Sequence, residues 1–175
     1  MKHERNESVI QGIREFSLPR YQEIPNVGLY LEQAAKYVSE YLTCLGDFAL
    51  TGSMISNYVK KGLVSNPVKK QYDREQIAQL FFIAVAKTVL SMDDIGLLLR
   101  IQRKTYDPQR AYDYFRAELE NVLQYVFGIK EGLDTIGENS TREKNMLRNV
   151  IITVAHKAYL DRYFAALQAE EAEAN

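Results

Sequence analysis

The stretch LTGSMISNYVKKGLVSNPVKKQYDREQIAQL, from Leu50 to Leu80, predicts two helices joined by a basic connector. Thr51 is of the type that caps a helix N-terminus, and Gly62 stands where glycine is favoured just after a helix ends. We therefore expect a short helix over residues 51–61. Its inward face is predicted to carry Met54, Ile55, Tyr58 and Val59.

The rest of the chain also reads as helices separated by capping signals. Asp73 with Gln76 forms a capping box that opens an apolar helix over 74–90. Asn26 is expected to cap an earlier helix. Its apolar stripe would comprise Val27, Tyr30, Leu31, Ala34, Val38, Tyr41 and Leu42. Three later helices are predicted to start at Ser91, at Asp107–Pro108 and at Ser140. No internal repeat and no strand of useful length is evident, so the predicted class is all-α.

Charge is distributed unevenly along the chain, although the formal net charge is only −1. Residues 51–110 hold ten basic and five acidic residues, a net +5, so the remainder carries −6. Within the basic part, four lysines fall in eleven residues: Lys60, Lys61, Lys69 and Lys70. This pattern favours a local anion-binding face, and the alternative that the lysines form only a solvated surface stays open.

Several functional classes lack sequence support. Cys44 is the single cysteine, which excludes an internal disulfide framework, and His3 and His156 have no partners at metal-ligand spacing. There is no glycine-rich phosphate loop or nucleophile elbow, so we expect neither an enzyme nor a bound cofactor. The N-terminus does not resemble a secretory signal, and the apolar run 77–90 is too short to span a bilayer. A cytoplasmic protein that does not enter membranes is expected.

Two short helices, a glycine turn, a basic connector and two further helices follow the order of a winged helix-turn-helix. The segments TGSMISNYVKKGLV and KKQYDREQIAQLFFIAVAKTVLSMDDIGLLL resemble the DNA-binding domain of MerR-type regulators. The matching positions are Tyr58, Gly62, Leu63, Tyr72, Ser91, Asp93, Asp94 and Ile95. Together with LPRYQEIPNVGLYLEQ, these segments also resemble a bacterial family catalogued as a domain of unknown function, over roughly residues 18–100.

The resemblance implies a MerR-like helix-turn-helix domain at 18–104, after a flexible leader at 1–17. A C-terminal helical region at 105–175 would serve dimerisation or effector sensing. The chain departs from the MerR pattern in three ways: Ser56 and Asn57 replace the usual arginine and aromatic, the first helix is longer, and the wing is shorter and lacks a hairpin glycine.

The expected function is a transcriptional regulator that binds duplex DNA through helix 51–61 and the connector 62–74. The predicted DNA-binding residues are Ser53, Ser56, Asn57, Lys60, Lys61, Lys69, Lys70 and Arg74. Asn57 is the best candidate for reading a base, because an amide can pair with adenine through two hydrogen bonds. A homodimer is expected, because one helix-turn-helix makes few contacts.

The alternative is a protein-interaction module that keeps the fold without binding DNA and uses helices 109–127 and 140–165. Six tyrosines lie in the C-terminal part: Tyr106, Tyr112, Tyr114, Tyr125, Tyr159 and Tyr163. Amphipathic packing explains them better than an effector pocket does.

Overall fold

The computed structural model describes residue 7 and residues 9–174. The chain is mostly helical, in agreement with the predicted class. Its helices are α1 (Leu31–Leu42), α2 (Gly52–Lys60), α3 (Arg74–Ala86), α4 (Met92–Thr105), α5 (Pro108–Val126) and α6 (Arg142–Glu173). Short 3-10 helices occupy Tyr21–Glu23 and Thr43–Leu45.

A small antiparallel ribbon joins two segments that are distant in sequence. Strand β1 (Leu29–Tyr30) pairs with β2 (Gln71–Tyr72), with Leu29 opposite Tyr72 and Tyr30 opposite Gln71. The strands approach so closely that a Cβ at Gly28 would lie 2.6 Å from the Cβ of Gln71, so a side chain at position 28 would force the ribbon apart. The ribbon fixes the end of the basic connector beside the start of α1.

Helix α3 forms the centre of the core. It is apolar on almost every side, and residues Leu80, Phe81, Ile83 and Ala84 are completely buried. It packs against α1, α5 and α6, while α5 and α6 share the most extensive contact between helices. A helix that is apolar all round is stable only when other elements surround it. The buried residues of the N-terminal and C-terminal helices consequently form one continuous cluster.

Four predicted helix starts are confirmed by their capping hydrogen bonds. The Thr51 hydroxyl accepts from the backbone N–H of Met54 at 3.2 Å. Asp73 and Gln76 form the reciprocal capping box, with N–H to oxygen distances of 2.9 and 2.8 Å. Ser91 and Asp107 cap α4 and α5 in the same manner, and Pro108 is in the first turn of α5. Local side-chain chemistry therefore determines where these helices begin.

Other boundaries differ from the predictions. Helix α1 starts at Leu31 with Tyr30 as N-cap rather than at Asn26, because the preceding residues pair as β1. As a result Val27 and Tyr30, expected in the apolar stripe, are 75 and 52% exposed. Helix α3 ends at Ala86, short of the predicted Leu90. The hydroxyl that caps α6 belongs to Thr141 instead of Ser140.

The described part of the predicted leader packs against the body of the protein. Val9, Ile13 and Phe16 are buried, which differs from the flexible segment expected over residues 1–17. The Arg162 guanidinium donates to the carbonyl oxygens of Val9 and Gln11, both at 2.6 Å. Residues 1–6, with His3 among them, and residue 8 lie outside the described residues.

An ion pair between a buried carboxylate and a partly exposed arginine joins the two longest helices. The carboxylate of Glu118 on α5 has no exposed surface and accepts a hydrogen bond from Arg148 on α6. That hydrogen bond raises the pKa of Arg148. None of the helices in the described part of the chain combines the length and apolar character needed to cross a lipid bilayer.

Candidate nucleic-acid interface

Helix α2 exposes a polar face while its opposite face is buried. Ile55 and Tyr58 point into the core, and burial raises the pKa of the Tyr58 hydroxyl. Ser53, Ser56, Asn57 and Lys60 are exposed, as the sequence predicts. Met54 is expected on the inward face but is 38% exposed. The exposed face of α2 therefore also carries one apolar side chain.

The C-terminus of α2 closes in a Schellman motif. The N–H of Leu63 donates to the carbonyl of Tyr58 at 2.9 Å, and the N–H of Gly62 donates to that of Val59 at 3.0 Å. Gly62 has φ +74°, a conformation that favours glycine. The motif fixes the direction in which the connector leaves α2, directly after the exposed Lys60 and Lys61.

Lys69 and Lys70 form the tip of a tight hairpin, where their φ angles are +50 and +63°. Val68 and Gln71 flank them and exchange two backbone hydrogen bonds of 3.1 and 2.9 Å. Positive φ at both central positions defines a type I′ turn, for which Asn-Gly is the favoured sequence. Two lysines in this conformation are unusual, because left-handed backbone geometry costs an L-residue roughly 1–2 kcal/mol.

The basic connector between α2 and the hairpin is fixed to the body by side chains from α3 and α4. The Gln76 amide donates to the carbonyl of Ser65 at 2.9 Å and contacts that of Asn66 at 3.3 Å. From α4, the Arg103 guanidinium donates to the carbonyl of Leu63 at 2.7 Å. The connector is therefore anchored at three positions just before its proline, Pro67.

Arg74 has a different environment from the four lysines. Its guanidinium donates to the carbonyl of Ile24 at 2.9 Å and to the side chain and carbonyl of Gln22 at 3.1 and 3.2 Å. It also lies over the ring of Tyr21, 5.7 Å from the ring centroid. The arginine thus attaches the N-terminal segment to α3, and its donors are directed towards protein.

The four lysines are exposed, and within residue 7 and residues 9–174 none of them forms an ion pair with a carboxylate. Helix α1 packs against both α2 and the ribbon, so one element supports both pairs of lysines. Because no acid in this part of the chain neutralises them, their positive potential is available to an anionic partner.

The sequence gives little indication of an apolar group beside the hairpin. Val68 is 74% exposed next to the lysine turn, and Tyr30, paired with Gln71 across the ribbon, is 52% exposed. The pairing of β1 with β2 places both side chains on one ribbon. A strand of two residues is too short for an alternation of polar and apolar residues to be recognised in the sequence. An exposed aromatic or branched side chain beside cations can contact sugars or a thymine methyl.

Cys44 and His156 lie in different environments. Burial raises the pKa of the half-buried Cys44 thiol, although Arg162 opposes the shift. The thiol is therefore held in its weakly nucleophilic protonated form. His156 is exposed on α6. Among the described residues no group of three or more His, Cys, Asp or Glu side chains could hold a metal ion.

These features define a mainly α-helical protein with four exposed lysines, two at the C-terminal end of α2 and two at the hairpin tip, supported by one helix. The chain belongs to the family described as a domain of unknown function (DUF1836), which matches residues 19–115. The match covers the polar face of α2, the connector and the hairpin, and ends within α5. Comparison with curated proteins found no match, and neither did comparison with solved structures.

Proposed function

We propose that this protein is a transcriptional regulator that binds duplex DNA through α2 and the lysine hairpin. The observation that carries the proposal is the type I′ turn formed by Lys69 and Lys70. Strained backbone tends to cluster at functional sites, and this turn places two exposed cations side by side at the tip of a hairpin.

In the proposed complex, α2 enters the major groove and the hairpin lies along the adjacent backbone, as in a winged helix-turn-helix. The order of α1, α2, hairpin, α3 and α4, with β1 preceding α1, supports a MerR-like arrangement. Ser53, Ser56 and Asn57 would contact base edges, with Asn57 reading adenine. Lys60, Lys61, Lys69 and Lys70 would contact phosphates. The contacts of Arg74 give it a structural role in place of the predicted phosphate contact.

We propose that the protein acts as a symmetric homodimer on two half-sites. Four phosphate contacts per chain give modest affinity, and a second copy doubles them. Leu160 and Phe164 support self-association through α6: they are 48 and 54% exposed and lie one helical turn apart. Sedimentation velocity should give the mass of a dimer, and Leu160→Glu with Phe164→Glu should reduce it to that of a monomer.

The DNA proposal is tested by fluorescence anisotropy with mixed-sequence duplex across a salt series. For four phosphate contacts per chain, log K should fall with log salt at a slope of about −3.6 per bound chain. A variant with Gln at positions 60, 61, 69 and 70 should lose binding. A control variant replaces Lys36 and Lys157, two exposed lysines on α1 and α6, with Gln and should bind as wild type does. Absence of binding at low salt, or equal binding by both variants, would refute the proposal.

The alternative function is a protein-interaction module that uses α5 and α6, and the exposed Leu160 and Phe164 favour it equally. Under this alternative, Lys60→Glu with Lys69→Glu leaves partner binding unchanged, while Leu160→Glu with Phe164→Glu abolishes it. Pull-down with each double variant separates the two functions, because the DNA proposal requires the lysine variant to lose nucleic acid.

A further inference from the structure

A cavity of about 570 Å³ lies between the helices of the family-matched region and the C-terminal helix. The cavity is lined by residues of α3, α4 and α5, by the loop at 137–141 and by the first turns of α6. The volume is within the range of about 300–1,000 Å³ that is typical of small-molecule sites. The cavity is separate from the lysine hairpin, because none of the four lysines lines it.

The wall of the cavity is mainly aromatic and aliphatic. Phe82 from α3 and Phe115 from α5 meet edge to face with their ring centroids 5.5 Å apart, and Leu98 from α4 and Met146 from α6 also line the cavity. Water bound against such a surface loses hydrogen bonds, and an apolar molecule that displaces it gains dispersion contacts. The lining of the cavity therefore favours an apolar ligand.

The tyrosines of the wall contribute ring surface with few free polar groups. The Tyr112 hydroxyl donates to the carbonyl of Pro19 at 2.9 Å, and the Tyr106 hydroxyl is bonded to the Thr141 hydroxyl at 3.1 Å. Burial raises the pKa of Tyr112, and burial followed by the charge of Glu118 raises that of Tyr114. The Tyr112 and Tyr114 hydroxyls are therefore neutral near pH 7.

The charged groups around the cavity disfavour an anion. Three carboxylates line it, from Glu75, Glu138 and Glu143, against the two cations Arg110 and Lys144. Lys144 is already engaged: its ammonium donates to the carbonyl of Asn139 at 2.9 Å and lies 5.1 Å from the ring centroid of Tyr114. An anionic ligand would therefore meet net negative charge, and a neutral one meets no such penalty.

We propose that this cavity is a binding site for an uncharged, predominantly aromatic or branched small molecule. The site requires both parts of the chain, because α3, α4 and the start of α5 lie within the family match, whereas the loop and α6 lie beyond it. The inference is independent of DNA binding: it depends on the cavity alone and is measured without nucleic acid.

The test uses two probes of matched shape on the full chain. N-phenyl-1-naphthylamine is neutral, and 1-anilinonaphthalene-8-sulfonate is the same ring system with a sulfonate. We expect saturable fluorescence enhancement by the neutral probe with one site per chain, and binding of the sulfonate at least about tenfold weaker. Non-saturable enhancement by the neutral probe, or equal binding of both probes, would overturn the proposal.

Two filling variants act from different helices, so the loss of one to misfolding leaves the other. Ala111→Phe fills part of the cavity from α5, and Met146→Trp fills part of it from α6. Each should weaken the neutral probe at least about tenfold while thermal unfolding stays cooperative. Ala117→Phe is the matched control, since Ala117 is a half-buried residue of α5 outside the lining, and should bind the probe as wild type does. Unchanged binding in a folded filling variant would show that the probe binds elsewhere.

Discussion

Replacing Lys69 with Asn and Lys70 with Gly should make the protein more stable and a weaker DNA binder. The turn has φ angles of +50 and +63°, and Asn-Gly is the sequence this geometry favours. Removing two left-handed lysines relieves roughly 2 kcal/mol of strain, and the added freedom of glycine in the unfolded chain offsets roughly 0.5–1 kcal/mol. A net gain of about 1 kcal/mol is expected, which corresponds to about 2–4 °C in Tm for a chain of this size.

Under the proposed function, the same double substitution should also weaken DNA binding. Two fewer phosphate contacts should make the slope of log K against log salt about 1.8 shallower per chain. At moderate salt the affinity should fall roughly tenfold or more. If the variant is more stable but binds DNA as wild type does, the two lysines do not contact phosphate. If the variant is less stable, the two lysines are required for folding and the strain argument is wrong.

The assay combines urea unfolding with the anisotropy titration on the same preparations. The control variant with Lys36→Gln and Lys157→Gln removes the same charge from two exposed helical sites. Its stability should change by less than about 1 kcal/mol, because surface ion pairs contribute little. A shallower slope in this control equal to that of the hairpin variant would refute the reasoning, since bulk charge would then explain the effect.

Three further substitutions test the framework around the site. Gly62→Ala should lower the free energy of unfolding by about 1–2 kcal/mol in urea titrations, because φ is +74° at that position. Arg148→Ala should destabilise by about 3 kcal/mol or more, since it leaves the buried Glu118 carboxylate unpaired, and adding Glu118→Gln should recover part of that loss. Arg74→Ala should lower stability by about 1–2 kcal/mol through lost contacts with Gln22, and the salt slope of DNA binding should stay as in wild type. A shallower slope for that last variant would contradict the structural role of Arg74.

Local signals were sufficient to predict most helix starts. Thr51, Asp73, Ser91 and Asp107 each cap the helix that the sequence assigns to them, because capping depends on a side chain and the three residues after it. The shift from Ser140 to Thr141 at the last helix involves two adjacent hydroxyl residues of the same capping type. Pattern alone does not distinguish them.

Long-range pairing explains what the sequence could not predict. Strands β1 and β2 are two residues each and separated by 40 positions, so no periodicity reveals them, yet they move the start of α1 to Leu31. The sequence alone does not distinguish Arg74 from the neighbouring lysines as a candidate phosphate contact. Only the docked segment around Gln22 distinguishes a cation that binds protein from one that faces solvent. Likewise, the cavity combines side chains from four helices.

The support of the connector explains how two strained lysines can persist. In an unsupported loop, Lys69 and Lys70 would adopt negative φ angles, because no backbone hydrogen bonds would be lost by the change. Here the Schellman motif at Gly62, the Arg103 bond to Leu63, the Gln76 amide and the ribbon constrain the segment on both sides of the turn. The backbone of these residues is therefore ordered when the protein folds. Binding of an anionic partner would not incur the entropy cost of ordering it. The surrounding contacts therefore hold Lys69 and Lys70 in the left-handed conformation, and without those contacts the two lysines would leave it.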